Sequence, residues 1–121
     1  MDTNVYEPQA KLFKTLMHPA RLAILEILRE GEECVCHMEA YLGFRQAYIS
    51  QQLMVLREAG LVEDRRDGWN NYYRVVKPEI YAVIDAASEA IGEELAVRPV
   101  IRVLHACPCP KCSITVNHSI G

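Results

Sequence analysis

The five cysteines of this 121-residue chain fall into two tight groups: Cys34 and Cys36 in "EECVCHME", and Cys107, Cys109 and Cys112 in "HACPCPKC". Thiolates hold soft metal ions and arsenic(III), and they also oxidise to disulfides or polysulfides. The first pair lies where the sequence passes into a short helix. Residues i and i+2 of a regular helix stand about 200° apart, so these sulfurs can converge only where the backbone is extended or just beginning to coil. There they meet the partial positive charge of the helix start, which favours thiolate. With Glu32, Glu33 and His37 around them, the two cysteines are expected to be ligands in a polar stretch. Packing in the core is the plainer alternative for such a pair.

The second group is spaced C-x-C-x-x-C. Pro108 and Pro110 exclude a helix and impose an extended backbone, which turns Cys107 and Cys109 to one side. A turn after Pro110 can bring Cys112 back to them. Three thiolates in six residues suit a pyramidal arsenic(III) site, or part of a tetrahedral site for zinc or cadmium. His105 and His118 could assist, although each alone is expected to be solvated. An enzyme that used "CPKC" as a redox pair would need a strand–helix context and an orienting acid–base set. Neither is present, so no catalytic activity is expected.

The rest of the chain must position these groups. Half the residues are apolar and 24% are charged, the balance of one soluble globular domain. "MDTNVYEPQ" is polar and acidic, unlike a signal peptide, and apolar runs such as "RLAILEIL" are too short and too charged to span a membrane. An odd number of cysteines without an export signal points to a reducing cytoplasm. The net charge of −3 argues mildly against nucleic acid as a partner, so any such binding must be local.

The hydrophobic pattern is helical with one interruption. Leu12, Phe13, Leu16 and Met17 share a face in residues 6–17, and Ala20, Ile24, Ile27 and Leu28 form a stripe in "HPARLAILEILRE". A short helix is expected over 34–42, a break at Gly43, and a longer helix over 46–59 with Ile49, Leu53 and Leu56 buried. "LVEDRR" and "NYYRVV" read as strands around the turn "DGWNN", and Pro78 opens a last helix running to about residue 96. The fold class is mainly α with a small β-hairpin wing, a dimeric winged helix-turn-helix occupying 1–98, followed by a cysteine-rich tail at 99–121. The last helix carries Tyr81, Ile84, Ala87, Ile91 and Leu95 in a stripe too broad for so small a chain to cover, which is the argument for a dimer.

In this architecture helix 46–59 enters the DNA major groove. Opposite its buried line stand Ala47, Tyr48 and Gln51, with Ser50 on the flank, and no acidic group stands among them. Residues 45–76 hold five arginines against four carboxylates. The segment is therefore slightly basic within an acidic chain, and Arg65 and Arg66 of the hairpin are the candidates for phosphate.

"ISQQLMVLREAGLVEDRRDGWNNYYRV" resembles the recognition helix and wing of the ArsR/SmtB family of bacterial transcriptional repressors, and "EECVCHME" resembles that family's Cys-Val-Cys metal-sensing box. The similarity runs from about residue 10 to about residue 95. It implies a homodimer, built on the first and last helices, that represses double-stranded operator DNA until an inducer binds. Carried onto this sequence, the DNA-reading positions are Arg45, Gln46, Ala47, Tyr48, Ser50, Gln51 and Gln52, with Arg65, Arg66 and Trp69 in the wing. Arg45 stands where a Ser or Thr cap is common in the family, Gln52 where His is usual, and His37 where Asp is usual. The inducer expected from the cysteines and the resemblance together is a thiophilic ion, arsenic(III) ahead of cadmium, lead and zinc, held by Cys107, Cys109 and Cys112, by Cys34 and Cys36, or by both sets. Two alternatives remain: a thiol-based redox or reactive-sulfur sensor of the same fold, and a zinc-stapled interaction module that does not bind DNA.

Overall fold

A computed structural model describes residues 2–92. Asp2 accepts the Asn4 backbone N–H and opens a 3-10 turn, Thr3–Tyr6, that runs on into α1, Glu7–Leu16. α2, Pro19–Ile27, starts with a residue that has no N–H to leave unsatisfied, and Nδ1 of His18 takes up the Ala20 N–H at 3.3 Å. A 3-10 turn, Leu28–Glu30, leads to a two-residue strand, β1, Glu33–Cys34. Then follow α3 (Val35–Leu42), α4 (Gln46–Glu58), a hairpin of β2 (Val62–Asp67) and β3 (Asn70–Val75), and α5 (Ile80–Ile91).

One core joins the helices. Ile24 and Leu25 from α2, Met38 from α3 and Ile49, Leu53 and Leu56 from α4 are completely enclosed. The last three recur at i, i+4 and i+7, the spacing that puts one line of side chains against the neighbouring helices. The sheet is antiparallel throughout, in the order β1-β3-β2. Gly68, at φ 63, is the first central residue of the two-residue hairpin turn, the place where a type II′ turn requires glycine. The hairpin agrees with the sequence reading; the third strand is additional. Glu33 pairs with Tyr73 and Cys34 with Tyr72, and two residues are too few to show a period-2 pattern.

Two expectations about the outer helices are corrected. α5 closes at Ile91, with Gly92 in the left-handed conformation (φ 74) as its cap, and does not run unbroken to residue 96. Its apolar stripe also divides. Tyr81 turns inward: its hydroxyl donates to the Leu25 carbonyl at 2.6 Å, and its ring lies 4.5 Å beneath the Arg29 guanidinium. Burial pushes this phenol up to about 12. Arg29 in turn grips Asp85 at 2.7 and 3.0 Å, which anchors α5 to the 3-10 turn that follows α2. Ile80 is buried and Ile84 packs on the core, whereas Ile91 stays 73% exposed. α1 divides the same way, with Leu16 buried but Phe13 and Met17 left largely in solvent. Leu95 and the boundary near residue 98 lie outside the described residues. No described helix is long and apolar enough to cross a membrane.

Candidate DNA-reading surface and thiol pair

α4 begins after Arg45, which is exposed and makes no side-chain cap. Gln46, Ala47 and Gln51 are exposed on the side away from the core, with Ser50 half-buried beside them. Tyr48 is also half-buried. Its ring meets Phe44 edge-on at 5.2 Å and its hydroxyl lies 3.5 Å from Nε2 of His18, so it braces the start of the helix against the head of α2.

Gln52 does not share the exposed face. It is buried, and its Oε1 accepts a 2.9 Å hydrogen bond from Nε of Arg21, whose Nη1 also donates to the Thr15 carbonyl at 3.1 Å. Three residues after Ile49, it flanks the buried line and ties α4 to α2 and the end of α1. Met54 was missed in the sequence reading because methionine is ordinarily assigned to core. It is 59% exposed on the same face as Ala47 and Gln51. Its spacing from them, i+7 and i+3, was the signal available.

In the wing, Arg65 and Arg66 point to opposite faces of β2. Arg65 forms a two-pronged ion pair with Glu32 at 2.7 and 3.2 Å and lies 4.8 Å over the ring of Tyr72. Arg66 is exposed and makes no ion pair among the described residues. Trp69 projects from the turn with 96% of its surface in solvent, so it does not pack beneath the hairpin.

The thiol pair sits where β1 becomes α3. Cys34 is still extended (φ −87, ψ 160) and caps the helix, its Sγ accepting the His37 backbone N–H at 3.3 Å. Cys36 lies in the first turn, and the two sulfurs approach to 2.8 Å. Extended backbone at the first thiol and helix at the second is what allows residues two apart to meet. The pair is less polar and less open than its flanking residues imply. Cys34 is 1% exposed, covered by Tyr72 of the neighbouring strand, and Cys36 is half-buried. His37 is buried too, its Nδ1 lying 3.8 Å from a Glu33 carboxylate oxygen. Among the described residues no three His, Cys, Asp or Glu side chains gather as a metal-binding group. Cys107, Cys109 and Cys112 lie outside the described residues.

Residues 18–64, from the head of α2 into β2, match the family model for the bacterial regulatory protein, arsR family. The uncharacterized HTH-type transcriptional regulator Rv0081 of Mycobacterium tuberculosis is 39% identical over 95 residues, which covers 78% of this chain and 83% of that one. This chain belongs to the ArsR family. It is a DNA-binding transcriptional regulator and not an enzyme. The crystal structure of Rv0081 superposes with a TM-score of 0.67 at 38% identity, over 75% of this chain and 92% of that one.

A second solved relative, Mb0332 of Mycobacterium bovis, is described as a homodimeric winged helix-turn-helix DNA-binding domain. It is similar with a TM-score of 0.65 and 30% identity, over 75% of this chain and 84% of its own. The arsenic resistance transcriptional regulator ArsR1 of Pseudomonas putida is 44% identical over 72 residues, 60% of this chain and 55% of that one. The arsenic-type regulator is thus one relative among several, matched over a shorter stretch than Rv0081, and the similarity does not single it out.

Proposed function

We propose that this ArsR-family regulator is a dimeric repressor released from its operator by a thiophilic metal or metalloid. Arsenic(III) is the favoured inducer, ahead of cadmium, lead and zinc. Cys34 and Cys36 capture it together with sulfur from Cys107, Cys109 or Cys112. The observation that carries this reading is the 2.8 Å approach of two sulfurs at the head of α3. The two sulfurs already lie side by side at the head of α3, and the His37 N–H is directed at Cys34. A pyramidal site needs a third sulfur, which the tail can supply. The arsenic-resistance relative supports the choice of inducer. A dimer is supported by the homodimeric relative and by the apolar side chains of Phe13, Met17 and Ile91 left in solvent on α1 and α5. Arg45, Gln46, Ala47, Ser50 and Gln51 face the DNA in this arrangement, with Tyr48 at their flank and Arg66 and Trp69 in the wing.

The enclosure of Cys34 favours a second reading, in which the switch is oxidation. Two thiols would surrender two electrons and two protons to a peroxide or persulfide and form one S–S bond. A small oxidant reaches a 1% exposed sulfur more readily than a hydrated ion does.

The deciding experiment uses an operator selected from random duplexes. The complex is titrated anaerobically with arsenite, cadmium, lead and zinc, and separately with hydrogen peroxide. The Cys34→Ser/Cys36→Ser and Cys107→Ser/Cys109→Ser/Cys112→Ser chains are compared with the parent. Arsenite should release the parent and neither serine chain, while all three bind DNA alike. Release by peroxide alone, reversed by dithiothreitol, selects the second reading. A chain lacking all five thiols that arsenite still releases as readily as the parent would refute thiol sensing.

A further inference from the structure

The exposed face of α4 carries more information than an ability to bind DNA. Ala47, Gln51 and Met54 follow one another at i, i+4 and i+7, directly opposite the buried line of Ile49, Leu53 and Leu56, and all three are exposed. Glu58 ends the stripe one turn further on, and no Arg or Lys stands on it. Arg57 lies on the flank and is directed to Asp64 at 3.4 Å.

Each of the three side chains has a match among the base edges of the major groove. The amide of Gln51 can bond adenine through N6 and N7 at once. Ala47 and Met54 offer no hydrogen bond, and the apolar group they can meet in the groove is the C5-methyl of thymine. Methionine is unbranched and polarisable, so it can adapt to such a methyl without a fixed rotamer. The bidentate arginine contact that reads guanine has no counterpart on the stripe. At about 1.5 Å per residue, seven residues of helix extend about 10 Å. That length spans about three base steps of about 3.4 Å each.

We propose that α4 selects an A·T core in each half-site, with Gln51 reading an adenine while Ala47 and Met54 touch thymine methyls on either side of it. The inference rests on α4 being the DNA-reading helix and goes on to name the bases it reads.

The test is selection of duplexes from a random pool by the full chain, followed by affinity measurements on the selected site. The parent should enrich a half-site core of A·T pairs. Replacing a contacted thymine with deoxyuridine removes only the methyl and should weaken binding about fourfold, the worth of one buried methyl-sized group. Met54→Gln should lose that sensitivity at one thymine and keep it at the other. Gln51→Arg should move the preferred base at its position from adenine to guanine. A G·C core selected by the parent, or deoxyuridine tolerated at every position, would overturn the inference and leave DNA reading by α4 standing. Binding with no sequence preference would remove α4 as the reading helix, and this inference would fall with it.

Discussion

Arg65 and Arg66 are adjacent in sequence, yet the fold gives them opposite surroundings, and salt can tell what that means for DNA. Arg65 is committed to Glu32 at 2.7 and 3.2 Å and to the face of Tyr72, whereas Arg66 stands in solvent with no carboxylate on it among the described residues. Each phosphate neutralised by a protein cation contributes about 0.9 to the slope of log affinity against log salt. Arg66→Ala is therefore expected to flatten the slope by about 0.9 per protomer, or about 1.8 for a dimer. Raising salt from about 50 to about 200 mM, a fourfold change, would then cost the variant about 3.5-fold less affinity per lost contact. Arg65→Ala should lower affinity by loosening the wing but leave the slope unchanged, since the side chain it removes is already neutralised. Glu32→Gln should do the reverse, freeing Arg65 for phosphate and steepening the slope. Fluorescence anisotropy of a labelled operator across a salt series measures all three. Equal flattening by Arg65→Ala and Arg66→Ala would show that the Glu32 pair opens on DNA, and this division of labour would be wrong.

Ile91→Glu should dissociate the proposed dimer, because it would bury a charge in the interface proposed to cover Ile91, which is 73% exposed in the isolated chain. Circular dichroism should be unchanged, and a sedimentation profile identical to the parent's would remove α5 from the interface. Tyr81→Phe gives a test in pH. The folded phenol titrates at about 12 against an ordinary 10.0, so its protonated form is the one the fold holds. That contribution is complete below pH 10 and is lost as pH rises towards 12, because the unfolded chain releases the proton first. Urea midpoints of Tyr81→Phe should be lower at neutral pH, for want of the bond to Leu25, and should fall less steeply between pH 10 and 12 than the parent's. A slope equal to the parent's would mean that Tyr81 is not held as described.

The elements of the fold were legible because each announces itself locally. Ile49, Leu53 and Leu56 define α4, and the glycine turn between two β-rich runs defines the wing. What stayed hidden was tertiary. β1 is two residues long, and only its pairing with Tyr72 and Tyr73 makes it a strand, so nothing within "EECVCHME" could show that Cys34 would be covered. Tyr81 and Ile91 belong to one apolar stripe by spacing, and whether a given member meets the core or solvent depends on Arg29 and Leu25, more than fifty residues earlier. Gln52 and Gln51 are the same residue type side by side. One is a buried anchor held by Arg21, thirty-one residues away, and the other is exposed. Identity was visible in these cases, and orientation was not.

The position of the thiol pair explains how one small site could govern two reading elements. Cys34 leads forward along the chain into α3, which packs against α4, and sideways through the ladder to Tyr72 of β3. Tyr72 faces Arg65 across the hairpin, and Arg66 is the next residue. In the proposed switch, an ion that draws the Cys34 sulfur from its place must move the backbone on one or both routes, because Cys34 is enclosed and cannot simply swing into solvent. Taking repression from nearly complete to nearly absent requires a bias of about 5.5 kcal/mol. Shared between a recognition helix and a wing in each of two protomers, that is about 1.4 kcal/mol per element, comparable to about one base contact apiece. Structural thiolate sites bind with about 10–16 kcal/mol, so coupling a modest fraction of that energy to the displacement of β1 is sufficient. Reciprocity then requires operator DNA to weaken capture of the inducer by the same factor by which the inducer weakens the operator.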